Sequence, residues 1–258
     1  MTHFTPSGAI FDFDGTLLSN EIEAGKLGTH ERLRLEAVQE IGRKYGLAAL
    51  ITATGEQSRL AFETVQVTAF ANVLWNMLCI LGVRHNPDEP DFGDPLMVEI
   101  TNLKDQRYQQ YLGRSAVEVP GSTEFVRHMA SVVDGYIAIG SSARRDDIET
   151  YLATKQLSNL LPTRRITSIE NVTRTKPDPE VYIRALETLD LPKHLHDRVC
   201  VFEDDPRGIM AAKAAGLYAC AITTRYSKTQ LLSLEVKPDI VADSYEEFTE
   251  ILLDAIPK

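Results

Sequence analysis

Cysteine, tryptophan and basic charge are all scarce in this chain. Its 258 residues hold three cysteines, one tryptophan, and 27 Lys+Arg against 37 Asp+Glu. Cys79, Cys200 and Cys220 are widely spaced and odd in number, with no Cys-x-x-Cys pair. That pattern excludes a disulfide framework or a thiolate metal knuckle and fits packed thiols in a reducing compartment. A net charge of −10 and a pI near 5.1 argue against nucleic-acid partners, which need clustered Lys and Arg, and against an anionic membrane surface. Residues 1–8 lack a basic stretch followed by an apolar one, so no secretory signal is expected. The one long apolar run, 67–83, approaches the length of a membrane span. Thr68, Asn72 and Asn76 interrupt it, so a buried helix is expected instead, with this polar stripe on its solvent face. These features together predict a cytoplasmic protein, monomeric or homodimeric.

What is present is ordinary globular composition, 43% apolar and 25% charged, in a chain long enough for one large domain or two unequal ones. Residues 9–11 are a short apolar run ending in Asp and Gly, which reads as a strand and a tight loop. From about 21 to 111 no strand pattern occurs. Residues 31–45 carry Leu33, Ala37, Val38, Ile41 and Tyr45 at helical spacing, 59–81 is helical or two helices, 86–95 is a proline-rich acidic loop, and 103–112 is a polar helix. After Pro120 and Gly121 the texture alternates. Strands are expected at 136–139, 166–169, 199–202, 218–222 and 240–242, with helices at 145–154, 179–189, 207–215 and the C-terminus. Such alternation predicts a parallel sheet covered on both faces. The expected architecture is an α/β, Rossmann-like three-layer core, 1–18 and 114–258, interrupted by an all-helical insertion, 19–113.

Four segments at expected strand ends carry chemistry, where open parallel sheets put their sites. Asp12-Phe13-Asp14-Gly15-Thr16 places two carboxylates two residues apart, so both can face one crevice. Adjacent carboxylates repel unless a cation or proton lies between them. Ser141 and Ser142 follow the 136–139 strand; a hydroxyl and amides there can bind phosphate oxygens, or the pair can cap the next helix. Lys176 lies in Thr175-Lys176-Pro177-Asp178-Pro179, where two prolines stiffen the turn. Glu203, Asp204 and Asp205 follow one another at a strand end, which suits a hard oxygen-liganded cation such as Mg²⁺.

The stretches FDFDGTLL, YIAIGSS, TKPDP and VFEDDPRGIMAAKAAG, in this order, resemble the haloacid dehalogenase-type phosphohydrolase superfamily. The helical insertion resembles that family's cap, and the last stretch is similar to the β-phosphoglucomutase-like and phosphoglycolate-phosphatase-like branch. The resemblance implies Asp12 as a nucleophile forming an aspartyl-phosphate and Asp14 as the acid, then the base. It implies Ser141 and Lys176 as ligands of the phosphoryl oxygens. Mg²⁺ would be held by Asp12, the Asp14 carbonyl, and Glu203 or Asp204, with both acids favoured. Asp205 departs from the branch, which commonly has Ser there. Asp14 favours phosphate esters over the dehalogenase chemistry of the same fold.

The implied substrate is a small phosphorylated metabolite. In the cap, His30 is the nearest candidate for a histidine that relatives carry in the first cap helix. It comes late, as if 21–27 were inserted. Arg59, in a stretch resembling the cap substrate loop, could reach a substrate anion. Arg144 and Arg145, after the Ser141 loop, are further candidates. A sugar-phosphate mutase is the alternative with the same core. A phospho-acceptor or silent binding module is more distant, because in receivers the acidic pair precedes the acceptor Asp.

Overall fold

The computed structural model describes residues 4–19, 27–65 and 70–252. The chain forms two compact units, Met1–Ser19 with Leu112–Lys258, and Asn20–Tyr111.

The first unit starts with strand β1 (Gly8–Phe11), whose residues are all buried. The second unit is helical among its described residues: α1 (Thr29–Tyr45), α2 (Ala48–Ile51), α3 (Gly55–Thr64), α4 (Phe70–Ile80) and most of α5 (Pro95–Arg114). Its core gathers Ala37, Val38, Ile41, Leu50, Leu74, Met77 and Ile100. Ala37, Val38 and Ile41 belong to the α1 face read from its spacing, but Tyr45, read on the same face, is 52% exposed, and its hydroxyl donates to Glu99 Oε2 at 2.7 Å. Residues 21–26 of the suspected insertion, and Thr68 of the polar stripe, lie outside the described residues. Asn72 is half-buried, and the reading of Asn76 requires a correction. Asn76 is not on a solvent face but only 9% exposed, and its amide donates to the Ala61 carbonyl and Thr64 Oγ1 at 2.9 Å each. A second helix covers that side of α4, and the asparagine satisfies polar groups of α3 there. Among the described residues no helix is long and apolar enough to cross a membrane.

The first unit continues with α6 (Ser122–Val132), β2 (Ile137–Gly140), α7 (Arg145–Thr154), β3 (Ile166–Thr167), α8 (Glu180–Leu189), β4 (Val199–Glu203), α9 (Pro206–Ala214), β5 (Tyr218–Ile222), α10 (Lys228–Leu232), β6 (Ile240–Ala242) and α11 (Tyr245–Leu252). The sheet has six parallel strands in the order β3-β2-β1-β4-β5-β6. The alternation read from the sequence has no helix at α6. The signal is nevertheless there, since Phe125, Val126, Met129 and Ala130 recur at helical spacing and are buried.

Strand alternation divides the core into two faces. On one, Ile10, Ala138, Val201 and Ala219 pack against Val181, Tyr182, Ala185 and Ile209. On the other, Phe11 stacks on Phe202 at 5.0 Å, and Phe125 and Phe248 meet Phe202 edge-on at 5.1 and 5.2 Å. Each such buried aromatic contributes about 1.5–3 kcal/mol. With both faces covered, the central strands carry no polar side chain until they end. β2 and β4 flank β1, so the order reverses beside β1, and there the crevice at the carboxyl ends forms.

Candidate active site

The register brings the strand-end residues together. Phe11 lies opposite Ile139 on one side and Phe202 on the other, so Asp12, Ser141 and Glu203 emerge along one edge. Asp12 is 6% exposed, and its amide donates to the Phe202 carbonyl at 3.0 Å. Lys176 Nζ donates to Asp12 Oδ1 at 2.5 Å and to Glu203 Oε1 at 2.6 Å. Its ammonium also sits 4.7 Å from the Tyr182 ring centre.

Glu203 is saturated. Oε1 accepts from Lys176 and from the Tyr182 hydroxyl at 2.6 Å. Oε2 accepts from the amides of Asp204 and Asp205 at 2.9 and 3.0 Å. Asp205 is the N-cap of α9. Its Oδ1 accepts from the Arg207 amide at 2.8 Å, and Arg207 and Arg225 pair with its carboxylate. No donor among the described residues bonds the Asp204 carboxylate. The three successive acids thus have three different environments.

The electrostatics follow from burial. Asp12, Glu203 and Asp204 are all buried, with oxygens within 4.8 Å of one another, and Lys176 places its ammonium against Asp12 and Glu203. Burial first, then the Glu203 and Asp14 charges, raises Asp12 to about 7 although Lys176 pulls it down. Asp204 is raised by burial and by Glu203, Asp12 and Asp205. Burial opposes the charge on Lys176, but Asp12 and Glu203 outweigh it and hold the ammonium above its ordinary pKa. This excess of buried carboxylate suits a hard divalent cation with oxygen ligands. Asp12 and Asp204 are the side chains that could hold it, with Glu203 bound up in supporting Lys176.

Two glycines make this crowding feasible. Gly15 has a φ of 79°, and the space a Cβ would fill there is taken by the Asp204 carboxylate. At Gly208 the Glu203 carboxylate takes that space. Gly208→Ala is expected to displace Glu203 from its four partners and loosen Lys176. Turnover should fall by about 100-fold and stability by about 1–3 kcal/mol, read in an activity assay and a melting curve; an unchanged rate contradicts this packing.

The remaining predicted positions separate. Ser141 is 2% exposed; its amide donates to Thr167 O at 2.9 Å and its Oγ accepts from the Ala143 amide at 3.2 Å. The Ser141–Ser142 pair does not cap α7. Arg144 occupies that position, without a side-chain cap, because the serine hydroxyl closes a turn one step earlier. Asp14 is half-buried, whereas Ser142 and Arg144 are exposed. Arg145 is tied to Asn171 Oδ1 at 2.8 Å. In the helical unit, Arg59 is exposed on α3, and His30 is half-buried with its ring 4.4 Å from that of Tyr108.

Sequence reasoning missed the supports. Tyr182 reads only as an apolar position of α8, yet its hydroxyl fixes Glu203. Glu180 Oε2 accepts from the amides of Thr173 and Arg174 at 3.1 and 2.9 Å and steadies the segment before Lys176. Arg184 donates to its Oε1 at 2.7 Å; that bond, with those from Arg174 and Thr173, lowers Glu180 to about 2. The Lys176–Pro177 peptide is cis.

An open parallel sheet with an acid-lined, lysine-bearing strand edge defines a class, and comparison with known proteins gives it a family. The haloacid dehalogenase-like hydrolases match residues 6–216, and the chain belongs to that family. It is 28% identical over 234 residues to validoxylamine A 7'-phosphate phosphatase of Streptomyces hygroscopicus subsp. limoneus, covering 88% of this chain and 91% of that one. It is 29% identical over 161 residues to glycerol-1-phosphate phosphohydrolase 1 of Saccharomyces cerevisiae, 61% of each. The fold is shared with CbbY of Rhodobacter sphaeroides in complex with xylulose-(1,5)bisphosphate, at a TM-score of 0.63 and 20% identity, covering 96% of this chain and 100% of that one. The chain is therefore a hydrolase with phosphatase relatives.

Proposed function

We propose that this protein hydrolyses a small-molecule phosphate monoester through an aspartyl-phosphate on Asp12, with Mg²⁺ as cofactor. The observation that carries the reading is the buried Asp12 carboxylate held by Lys176 at the edge shared with Glu203 and Asp204. In the first step an Asp12 oxygen bonds to phosphorus, the ester P–O bond breaks, and Asp14 gives its proton to the leaving oxygen. In the second, Asp14 takes a proton from water as that water attacks phosphorus. The bond to Asp12 then breaks, giving inorganic phosphate and the free carboxylate. Ser141, Lys176 and nearby backbone amides hold the phosphoryl oxygens, so a dianion can approach an acidic protein.

Asp12, Asp204 and the Asp14 carbonyl would hold Mg²⁺, which when bound supplies positive charge against the carboxylates and the phosphoryl group. Candidates for substrate choice are His30 and Arg59 in the helical unit and Ser142 and Arg144 in the core. The named relatives act on phosphorylated small molecules, which supports a phosphorylated metabolite here.

The test is a phosphate-release screen over sugar phosphates, phosphoglycolate and nucleotides. Release with Mg²⁺, lost on chelation and restored by added metal, is expected. Isomerisation of a sugar phosphate that needs a bisphosphate primer, without net release, would replace this reading by a mutase.

A further inference from the structure

The loop after the nucleophile is held by its carbonyl oxygens. Thr224 Oγ1 donates to Gly15 O at 2.6 Å. The Tyr245 hydroxyl donates to Thr16 O at 2.8 Å. The Tyr151 hydroxyl and Ser122 Oγ donate to Leu17 O at 2.8 and 3.1 Å. Three consecutive carbonyls are thus gripped by hydroxyls from four places: the turn after β5, and helices α11, α7 and α6. A trans peptide points its N–H opposite its C=O, so holding these oxygens also sets the direction of the next amides. The loop then folds back on the catalytic segment. Leu17 and Leu18 amides both donate to Phe13 O at 2.9 Å, Gly15 N donates to Leu18 O at 2.8 Å, and Asp14 bridges to Leu18. The backbone on either side of Asp14 is consequently fixed by groups that lie outside the acid cluster.

We propose that Tyr245 and Thr224, through the Gly15–Thr16 carbonyls, are positioning residues that hold Asp14 where it can protonate the leaving oxygen. This rests on Asp14 being the general acid. Neither side chain needs to touch substrate. Tyr245 also packs on Phe125 at 4.8 Å, so Tyr245→Phe keeps the ring in place and removes only the donor. Thr224→Val removes the other donor, and Thr224→Ser restores it.

The readout is dependence on the leaving group. Nitrophenolate departs without a proton, whereas phenolate is a poorer leaving group and needs the acid more. Phenyl phosphate and p-nitrophenyl phosphate are close in shape, and kcat/KM reports the transfer to Asp12 rather than the later hydrolysis. Asp14→Asn should lower kcat/KM for phenyl phosphate by at least about 100-fold more than for p-nitrophenyl phosphate. Tyr245→Phe and Thr224→Val should show the same selectivity at about 10-fold, and Thr224→Ser should return to wild type. An equal fall on both esters, or no fall, in Tyr245→Phe and Thr224→Val while Asp14→Asn discriminates overturns the positioning role alone. If Asp14→Asn itself does not discriminate, the acid assigned above is wrong, and this proposal falls with it.

Discussion

Asp12→Asn is expected to lower turnover by on the order of 10⁴-fold or more, because it removes the atom to which phosphorus bonds rather than a contributor to its stabilisation. The substitution keeps the shape of a side chain that is 6% exposed, and the amide can still receive Lys176 through its oxygen. Folding should therefore survive. The same substitution removes a negative charge from a cluster where burial and the Glu203 charge push Asp12 to about 7. The variant should thus melt no lower than wild type in the presence of chelator above neutral pH. Activity lost with stability kept or raised is the signature of a catalytic carboxylate; retained activity would remove Asp12 from the chemistry.

Lys176→Met should be nearly as damaging, and for a second reason. Asp12, Glu203 and Asp204 would remain buried with no ammonium among them. Removing one partner of a buried pair destabilises by about 3–5 kcal/mol, and loss of the cation that faces the phosphoryl group should lower turnover by about 100- to 1,000-fold. The pH dependence has a definite sign. Asp12 is raised from 3.8 to about 7 in the folded protein, so its contribution to stability is fully present below 3.8 and lost as pH rises through about 7. In the variant Asp12 and Asp204, both raised by burial, can still take up protons at acid pH. The drop in melting temperature relative to wild type, in chelator, should therefore be larger at about pH 8 than at about pH 5.5. An equal drop at both would show that Lys176 does not balance these carboxylates.

The strands and the acid-bearing turns were legible because they are local. β1 and β4 are continuous apolar runs that stop at Asp12 and Glu203, and strand ends are where a parallel sheet exposes polar side chains. What the sequence could not show are the partners that reach these residues from afar. Tyr182, Tyr245 and Thr224 look like core or turn residues until the fold brings each hydroxyl to its acceptor, 21 to 229 residues away in sequence. The division of labour in Glu203-Asp204-Asp205 is equally tertiary. It depends on the start of α9, on two arginines, and on Lys176 arriving from another turn. Asn76 was misread for the same reason, since a polar stripe on one helix does not reveal that a second helix needs its hydrogen bonds.

The most direct measurement of the covalent route is acid quench of the protein during turnover of a hydrolysed ester, followed by peptide mass analysis. With p-nitrophenyl phosphate, one phosphoryl group is expected on the peptide that contains Asp12, absent in Asp12→Asn and accumulating in Asp14→Asn, where the leaving group needs no acid but the water lacks its base. Turnover with no phosphorylated Asp12 peptide in any of these proteins, or with the phosphoryl group on another residue, would contradict it.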